Sequence, residues 1–235
     1  MTEIPPLYDK NCQCLLCKKS FTSKKVRSRF VKVLEYDTDF FPTYSSDETN
    51  PILYYVNVCP NCGFSYTDEY APYFPPSTKE TIEDKVCKQW VPHDFGGIRS
   101  INEAIKSYKL AVYCATLKKE KHIVIAGLYM RLVWLYRTLA KNDQENRFMK
   151  LACQEYIESY MADDFKGTQV SDVRILYLIG DLSRRMSNMD QAVKYFSKVI
   201  EKQNQTTETK IVEMAKERWY EIRDAKKDIH EVVSE

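Results

Sequence analysis

Two Cys-x-x-Cys pairs are the residues of this sequence whose spacing best suits chemistry. Cys14 and Cys17 form the first pair, in CQCLLC, and Cys59 and Cys62 form the second, in CPNCGF. Each pair can form a tight turn that presents two thiolates on one side, and two such turns supply the four ligands of a tetrahedral Zn²⁺ site. The sequence therefore predicts a zinc ion bound by these four cysteines. Iron is the alternative metal, since tetrahedral thiolate sites suit both.

The two predicted turns differ in the residue that follows the second cysteine. Gly63 can adopt a positive φ, which lets nearby backbone N–H groups point at sulfur, and Pro60 stiffens the same turn. The first turn has Lys18 in the place of glycine, which leaves its geometry open. A site closed by four cysteines has no position for water, so we expect the zinc to be structural.

The other four cysteines are not expected to bind this metal. Cys12 has the wrong spacing for a third ligand in the first turn, and Cys87, Cys114 and Cys153 lie on predicted helical faces. Buried free cysteines commonly behave as small apolar residues. A thioredoxin-like redox site is not indicated, because no βαβ pattern surrounds either Cys-x-x-Cys pair.

Composition sets the class of protein. The chain has 235 residues, eight cysteines and a net charge of +2, which gives no general attraction to nucleic acid or to anionic membranes. The N-terminus lacks a signal-peptide pattern, and no apolar stretch reaches the length of a membrane span. We therefore expect a cytoplasmic protein with no membrane partner, whose cysteines are reduced thiols or metal ligands.

The metal-binding pairs lie in a region that differs from the rest of the chain. Residues 1–75 carry two runs rich in β-branched and aromatic residues, at 26–34 and 52–58, which predict strands. The dense aromatics of this region predict a core, with a binding surface as the alternative. The proline-rich APYFPPSTKE marks a boundary, and residues 76–235 have helical spacing. The predicted fold class is α+β, mainly α: a small zinc-stabilised β-rich module followed by an antiparallel helical array.

Apolar stripes and capping signals place the helices. Ser77 with Glu80 predicts a capping box for the first helix, and Asn142 with Glu145 predicts one for a later helix. Further helices are predicted near 171–187, 190–203 and 207–227. The intervening stripes are Ile101, Ala104, Ile105, Tyr108 and Ala111, then Ile125, Leu128, Tyr129, Leu132 and Leu139, then Met149, Ala152, Cys153, Tyr156, Ile157, Tyr160 and Met161.

One helix pair resembles a tetratricopeptide repeat. In RILYLIGDLSRRMSNMDQAVKYFSKVI, Gly180 and Ala192 would lie where two helices cross closely. The match is incomplete, because Ser183 occupies a position that favours an aromatic residue. A generic helical bundle is the alternative interpretation.

The order of motifs resembles a known family. KNCQCLLCKKSF is followed by KKVRSRF, DTDFFPTY, NPILYYVNVCPNCGFS, SYKLAVYCA, RLVWLYR and YLIGDLSRRMSNMDQAVKYFSKVI. Over nearly its whole length, the chain is similar to the bacterial uncharacterised proteins known as domain of unknown function 2225. The resemblance implies a zinc-ribbon-like N-terminal part and a tetratricopeptide-like C-terminal part, and it implies no established activity. The two Cys-x-x-Cys pairs match the family cysteines, and Cys12 is an addition.

Two other functions compete with a structural role for the metal. The basic run from Lys18 to Arg29 suggests nucleic-acid binding, although acidic residues follow it closely.

Asp37 and Asp39 resemble a carboxylate pair, for which a solvated turn is the simpler interpretation. His93, in a loop after the first predicted helix, is the best candidate for a further ligand or a base. A metalloenzyme that uses His93 with an acidic partner is therefore the third hypothesis.

The first hypothesis is a non-catalytic adaptor or scaffold that binds a protein or peptide of unknown identity. Stacked helix pairs curve and leave a concave face, where arginine forks would favour an acidic segment. Alternatively, the arginines only solvate the outer surface or pair with acidic residues such as Asp181 and Glu217. The candidate partner-binding residues are Arg131, Arg137, Arg184, Arg185, Tyr108, Tyr129 and Tyr136.

Overall fold

The fold is mainly helical, and every strand of the described residues lies before residue 67, within the region predicted to be β-rich. The computed structural model describes residues 4–233, with side chains described through residue 225. The strands of this part are β1 (Leu7–Gln13), β2 (Ser20–Val26), β3 (Val33–Tyr36), β4 (Pro42–Tyr44), β5 (Asn57–Val58) and β6 (Ser65–Tyr66). The helices are α1 (Thr78–Lys85), α2 (Ile101–Lys118), α3 (His122–Thr138), α4 (Asn142–Ala162), α5 (Asp172–Arg185), α6 (Met189–Glu201) and α7 (Thr209–Val233).

The strands form three separate antiparallel hairpins, β1–β2, β3–β4 and β5–β6. The first and third hairpins each flank one Cys-x-x-Cys turn, so the two short ribbons carry the cysteines. The two predicted strands were only partly right. Residues 52–54 belong to a 3₁₀ helix, because Pro51 starts a turn and the Asn50 side chain accepts a hydrogen bond from the Ile52 N–H. Val26 ends β2, and a second 3₁₀ turn at 28–30 separates it from β3.

The predicted helices of the C-terminal part are confirmed, but the two predicted capping boxes are wrong. Ser77 has a left-handed backbone with a φ of 63° and makes no side-chain cap. Asn142 is the first residue of α4, one position too late to cap it. A capping box does occur at α2, where Ser100 accepts from the Glu103 N–H at 3.3 Å and Glu103 accepts from the Ser100 N–H at 2.8 Å.

The α5–α6 pair has the close crossing that the repeat pattern predicts. A Cβ added to Gly180 would lie 2.7 Å from the Phe196 ring, and Ala192 is fully buried at the same crossing. Only glycine fits here, because a ring in the core cannot shift by the distance that a methyl group needs.

The β-rich part packs on the helices through one continuous apolar core, which extends from Cys14 to Ile222. The turn between β3 and β4 reaches across to α3 and α5. There Asp39 is fully buried, and its carboxylate accepts from Arg137 at 2.8 Å. The division of the chain at residues 75 and 76 stays a prediction, and the contacts across it are extensive.

Candidate metal centre

The structure brings Cys14, Cys17, Cys59 and Cys62 together. Their four Sγ atoms all lie within 4.8 Å of one another, with 3.6 Å between Cys14 and Cys62 and 3.7 Å between Cys17 and Cys59. Zn–S bonds of about 2.3 Å separate the sulfurs of a tetrahedron by about 3.8 Å. The cluster therefore has the size of a tetrathiolate metal site. The predicted ligand set fits a zinc ion, and the geometry does not distinguish zinc from iron.

The two turns that carry these sulfurs have the same backbone geometry. In the first, the Lys18 N–H donates to the Cys14 carbonyl at 3.1 Å, and the Cys14 N–H donates to the Lys19 carbonyl at 3.0 Å. In the second, the Gly63 N–H donates to the Cys59 carbonyl at 2.9 Å, and the Cys59 N–H donates to the Phe64 carbonyl at 3.0 Å. The first turn thus reaches the same conformation without a glycine.

The electrostatics of the cluster favour a cation. Hydrogen bonding with Cys59 raises the pKa of the Cys14 thiol to about 12. The Cys14 and Cys62 thiols, together with the backbone N–H groups of Cys62 and Asn61, lower the pKa of Cys59 well below its usual range. A dication supplies the charge that four neighbouring thiolates require, and it releases protons when it binds.

The helical part supports the second turn, which the sequence analysis did not predict. The Trp90 ring covers Gly63 so closely that an added Cβ would lie 2.5 Å from it, and the Trp90 indole N–H donates to the Pro60 carbonyl at 2.9 Å. Behind the turn, the Ser65 N–H donates to Cys114 Sγ at 3.4 Å. No spacing rule relates these residues, since they lie about 30 to 50 positions apart in the chain.

The remaining cysteines lie outside the cluster. Cys12 is buried, and its Sγ contacts the Lys10 carbonyl at 3.6 Å. Cys114 and Cys153 are buried core residues. Cys87 is half-buried beside the metal centre, where burial raises the pKa of its thiol and hydrogen bonding with Cys62 opposes that rise.

Three of the four candidate arginines form ion pairs inside the protein. Arg137 bridges Asp37, Asp39 and Glu145 at 3.1, 2.8 and 2.7 Å. Arg184 and Arg185 both bind the fully buried Asp181 at 2.8 Å, and Arg185 also pairs with Asp37. These arginines hold the β3–β4 turn against α3 and α5. The pairing with Asp181, which was the alternative interpretation, is present. It engages Arg184 and Arg185, two of the arginines predicted to bind a partner protein.

The three candidate tyrosines are mostly core residues. Tyr108 is fully buried, and its hydroxyl donates to the Ile52 carbonyl at 2.8 Å. Tyr136 is 5% exposed and stacks on Phe148 with ring centroids 5.4 Å apart, and the half-buried Tyr129 contacts the same ring. Of the four candidate arginines, Arg131 is the one with no ion pair among the described side chains, and it instead stacks on Tyr55 and donates to the Gly127 carbonyl.

The acidic pair and the histidine of the enzyme hypothesis lie apart. We expected Asp39 in a solvated turn, but the turn folds inward and buries Asp39 against Arg137. His93 is exposed, and its ring contacts the edge of Phe95 at 4.5 Å. Among the described residues, no group of three or more metal-binding side chains includes His93 or either aspartate.

Internal contacts occupy three of the six basic residues in the run that suggested nucleic-acid binding. Lys24 pairs with Asp9 at 2.9 Å, Lys25 donates to the Tyr55 carbonyl at 3.2 Å, and Arg27 donates to the Pro5 carbonyl at 3.1 Å. Phosphate binding needs cations that are free of such partners. The other three, Lys18, Lys19 and Arg29, are exposed, so the run offers about half of the cations that the sequence suggested.

Comparisons with known proteins agree with these observations. None of the helices in the described part of the chain is long and apolar enough to cross a membrane. No curated protein and no solved structure matches the chain. One family profile matches residues 7–222, a range that includes all four clustered cysteines and α2 to α6. The chain therefore belongs to the family described as uncharacterized protein conserved in bacteria (DUF2225).

Proposed function

We propose that the protein is a non-catalytic adaptor of the bacterial cytoplasm, with a structural zinc ion and a helical surface that binds another protein. The observation that carries this proposal is the closed cluster of Cys14, Cys17, Cys59 and Cys62, in which every sulfur faces the other three. Catalytic zinc sites have three protein ligands and an open position for water or substrate. A four-thiolate site has no such position.

The proposed role of the metal is to join the two β-ribbons. One ligand pair follows β1 and the other follows β5, and each of these strands belongs to a two-stranded hairpin, which is at best marginally stable alone. The metal would supply that stability, because a site of this kind does not exist in the unfolded chain. Trp90 and Cys114 then connect the joined ribbons to the helices.

The tetratricopeptide-like character of the helices supports the adaptor half of the proposal. The α5–α6 pair has the small residues Gly180 and Ala192 at its crossing, as such repeats require. Stacked pairs of this kind commonly bind extended segments of other proteins on their inner surface. A chain with eight unpaired cysteines suits the reducing cytoplasm.

Metal analysis and reconstitution from purified components test the proposal. We expect one zinc ion per chain and a stoichiometric protein partner in complexes isolated from the native host. The partner should bind again when both proteins are purified and mixed, as measured by calorimetry. A preparation that retains nucleic acid through a high-salt wash and no protein would contradict the adaptor role. Iron in place of zinc would correct the metal and leave the adaptor role standing.

A further inference from the structure

A cleft of about 610 Å³ lies between the β-rich part and the helices. Its walls come from the segment at 69–75, from α3, from the loop between α4 and α5, and from α5. Apolar and aromatic side chains dominate the lining, among them Met130, Trp134, Tyr156 and Leu178. Clefts of this size and composition are typical ligand-binding sites when a few polar groups point into them.

Arg131 is the polar group that distinguishes this cleft. Its guanidinium lies over the Tyr55 ring at 3.9 Å from the centroid, and one of its nitrogens donates to the Gly127 carbonyl at 2.9 Å. No ion pair among the described side chains includes Arg131. A half-buried guanidinium that has a carbonyl but no carboxylate leaves donors free for an anion, and its planar fork suits a carboxylate.

The position of Arg131 is stabilised by its surroundings. Gly127 lies one turn earlier on α3, and a Cβ there would come within 3.2 Å of the Arg131 guanidinium. The contact with the Tyr55 ring further restrains the guanidinium. An anion that binds here therefore meets a pre-organised donor, which reduces the conformational entropy lost on binding.

Some of the other charged residues that line the cleft have ion-pair partners within the protein, and others do not. Two carboxylates are neutralised within the protein, Asp39 by Arg137 and Glu120 by Lys118. Glu69 also lines the cleft, and it forms no ion pair with any described side chain. The remaining cations are Lys119 and Lys121 at one end, Arg131 in the wall, and Arg174, whose contact with Glu208 is long at 3.5 Å. The five cations and three carboxylates of the lining therefore leave a net positive charge.

We propose that this cleft binds an acidic segment of the partner protein, with one carboxylate on Arg131 and flanking apolar side chains on Met130 and Trp134. This inference rests on the proposed adaptor function and names the chemistry of the partner. Charge complementarity identifies the occupant, because cations outnumber carboxylates in the lining and are contributed by several of its segments, which an extended acidic chain can contact together. A single small anion would use only one of these positions.

Binding to defined peptides tests the inference. The probes are an array of immobilised nonapeptides, each with one or two Glu residues between Leu, Phe or Trp, and the same peptides with Gln in place of Glu. We expect wild type to bind the acidic members and to lose binding when Glu becomes Gln. Arg131→Gln should weaken binding about ten-fold or more, since charge-assisted hydrogen bonds contribute about that much. Arg131→Lys should lie between them, because lysine keeps the charge and loses the fork.

Two further variants separate binding from folding. The double variant Lys119→Glu, Lys121→Glu changes exposed residues at the rim, so it should fold normally and weaken binding of acidic peptides. Arg147→Gln is the matched control, because Arg147 is an exposed arginine of α4 outside the cleft, and it should bind as wild type does. Thermal unfolding of each variant confirms the fold.

The outcomes distinguish this inference from the adaptor proposal. Equal binding of Glu and Gln peptides, or equal binding by wild type and the rim variant, would overturn the acidic-segment assignment. The assignment also fails if phenylacetate binds as tightly as the best peptide, since the cleft would then be a small-molecule site. A native partner that binds Arg131→Gln and wild type equally would overturn the assignment and leave the adaptor role intact. If wild type binds neither an acidic peptide nor a native protein partner, both the acidic-segment assignment and the adaptor role are overturned.

Discussion

Lys18 and Gly63 occupy equivalent positions in the two metal-binding turns, and both have a left-handed backbone, with φ values of 62° and 74°. Each N–H donates to the carbonyl of the first cysteine of its turn, at 3.1 and 2.9 Å. The left-handed conformation is strained for any residue with a Cβ. The first turn therefore carries strain that the second turn avoids.

The first prediction is that Lys18→Gly stabilises the metal-loaded protein. Removal of the strained Cβ should raise the free energy of unfolding by about 1 kcal/mol. Lys19→Gly is the control, because Lys19 is also exposed and carries the same charge but does not have a positive φ. Denaturation at one fixed zinc concentration measures both variants. If Lys18→Gly lowers the free energy of unfolding as much as Lys19→Gly does, the strain is not significant.

The second prediction concerns the identity of the ligands. Cys59→Ser should abolish metal binding and unfold the β-rich part, whereas Cys12→Ser should retain one metal ion per chain, because Cys12 lies outside the cluster. Acid should also release the metal from wild type. Zinc needs thiolates, so protons compete with it more strongly as pH falls, and affinity decreases. Elemental analysis after dialysis at neutral and acidic pH measures this. Equal loss of metal from both variants would show that Cys12 is a ligand.

The third prediction is that Gly63 tolerates no side chain. Gly63→Ala places a methyl group 2.5 Å from the Trp90 ring and also strains the backbone, so we expect a cost above about 2 kcal/mol and faster release of metal to a chelator. Gly97→Ala is the control, since nothing lies within 4 Å of a Cβ there. Wild-type release kinetics in Gly63→Ala would show that Trp90 does not hold the turn.

The cluster of four cysteines could be predicted from the sequence because Cys-x-x-Cys is a local pattern with a local physical meaning. Gly63 and its turn were predictable for the same reason. The support from Trp90 was not, because it depends on a contact between residues 30 positions apart. Local patterns also predicted the helices after Ile101 and the crossing at Gly180, where strict periodicity and a small residue coincide.

The errors have a common physical cause. Residues 52–54 have strand propensity, but the Asn50–Pro51 turn and burial against the helices favour a 3₁₀ helix. Helical spacing places Asp181 within reach of Arg184 and Arg185 on α5, and that local pairing was the alternative interpretation, but spacing could not show that Arg185 also pairs with Asp37. Asp37 lies more than 140 positions away from these arginines. Long-range ion pairs have no local signature, so charges that are paired in the fold were assigned to a partner.

The fourth prediction tests the strongest of these ion pairs. Asp39→Asn leaves Arg137 without its buried carboxylate, and loss of one member of a buried pair costs about 3–5 kcal/mol. Asp47→Asn is the control, because Asp47 is exposed and should change the free energy of unfolding by less than about 0.5 kcal/mol. Urea denaturation measures both. If the two variants are equally stable, the β3–β4 turn is not held by Asp39.

The last prediction follows from Lys25, whose ammonium group donates to the carbonyls of Tyr54 and Tyr55 inside the β-rich part. Burial lowers the pKa of Lys25 to about 8, whereas the pKa of a lysine in an unfolded chain is about 10.4. Between these two pH values the unfolded chain binds one more proton than the folded chain. The free energy of unfolding contributed by this group therefore rises with pH across that window.

Lys25→Met removes the titrating group and should abolish the rise. Relative to the variant, wild type should gain about 1–2 kcal/mol between pH 7.5 and pH 9.5, since each pH unit within the window contributes up to about 1.4 kcal/mol. Lys32→Met, which removes an exposed lysine, is the control and should follow the wild-type profile. Urea denaturation at several pH values and fixed zinc measures the three proteins. Parallel profiles for wild type and Lys25→Met would mean that the Lys25 ammonium is solvated and that its pKa is not lowered by burial.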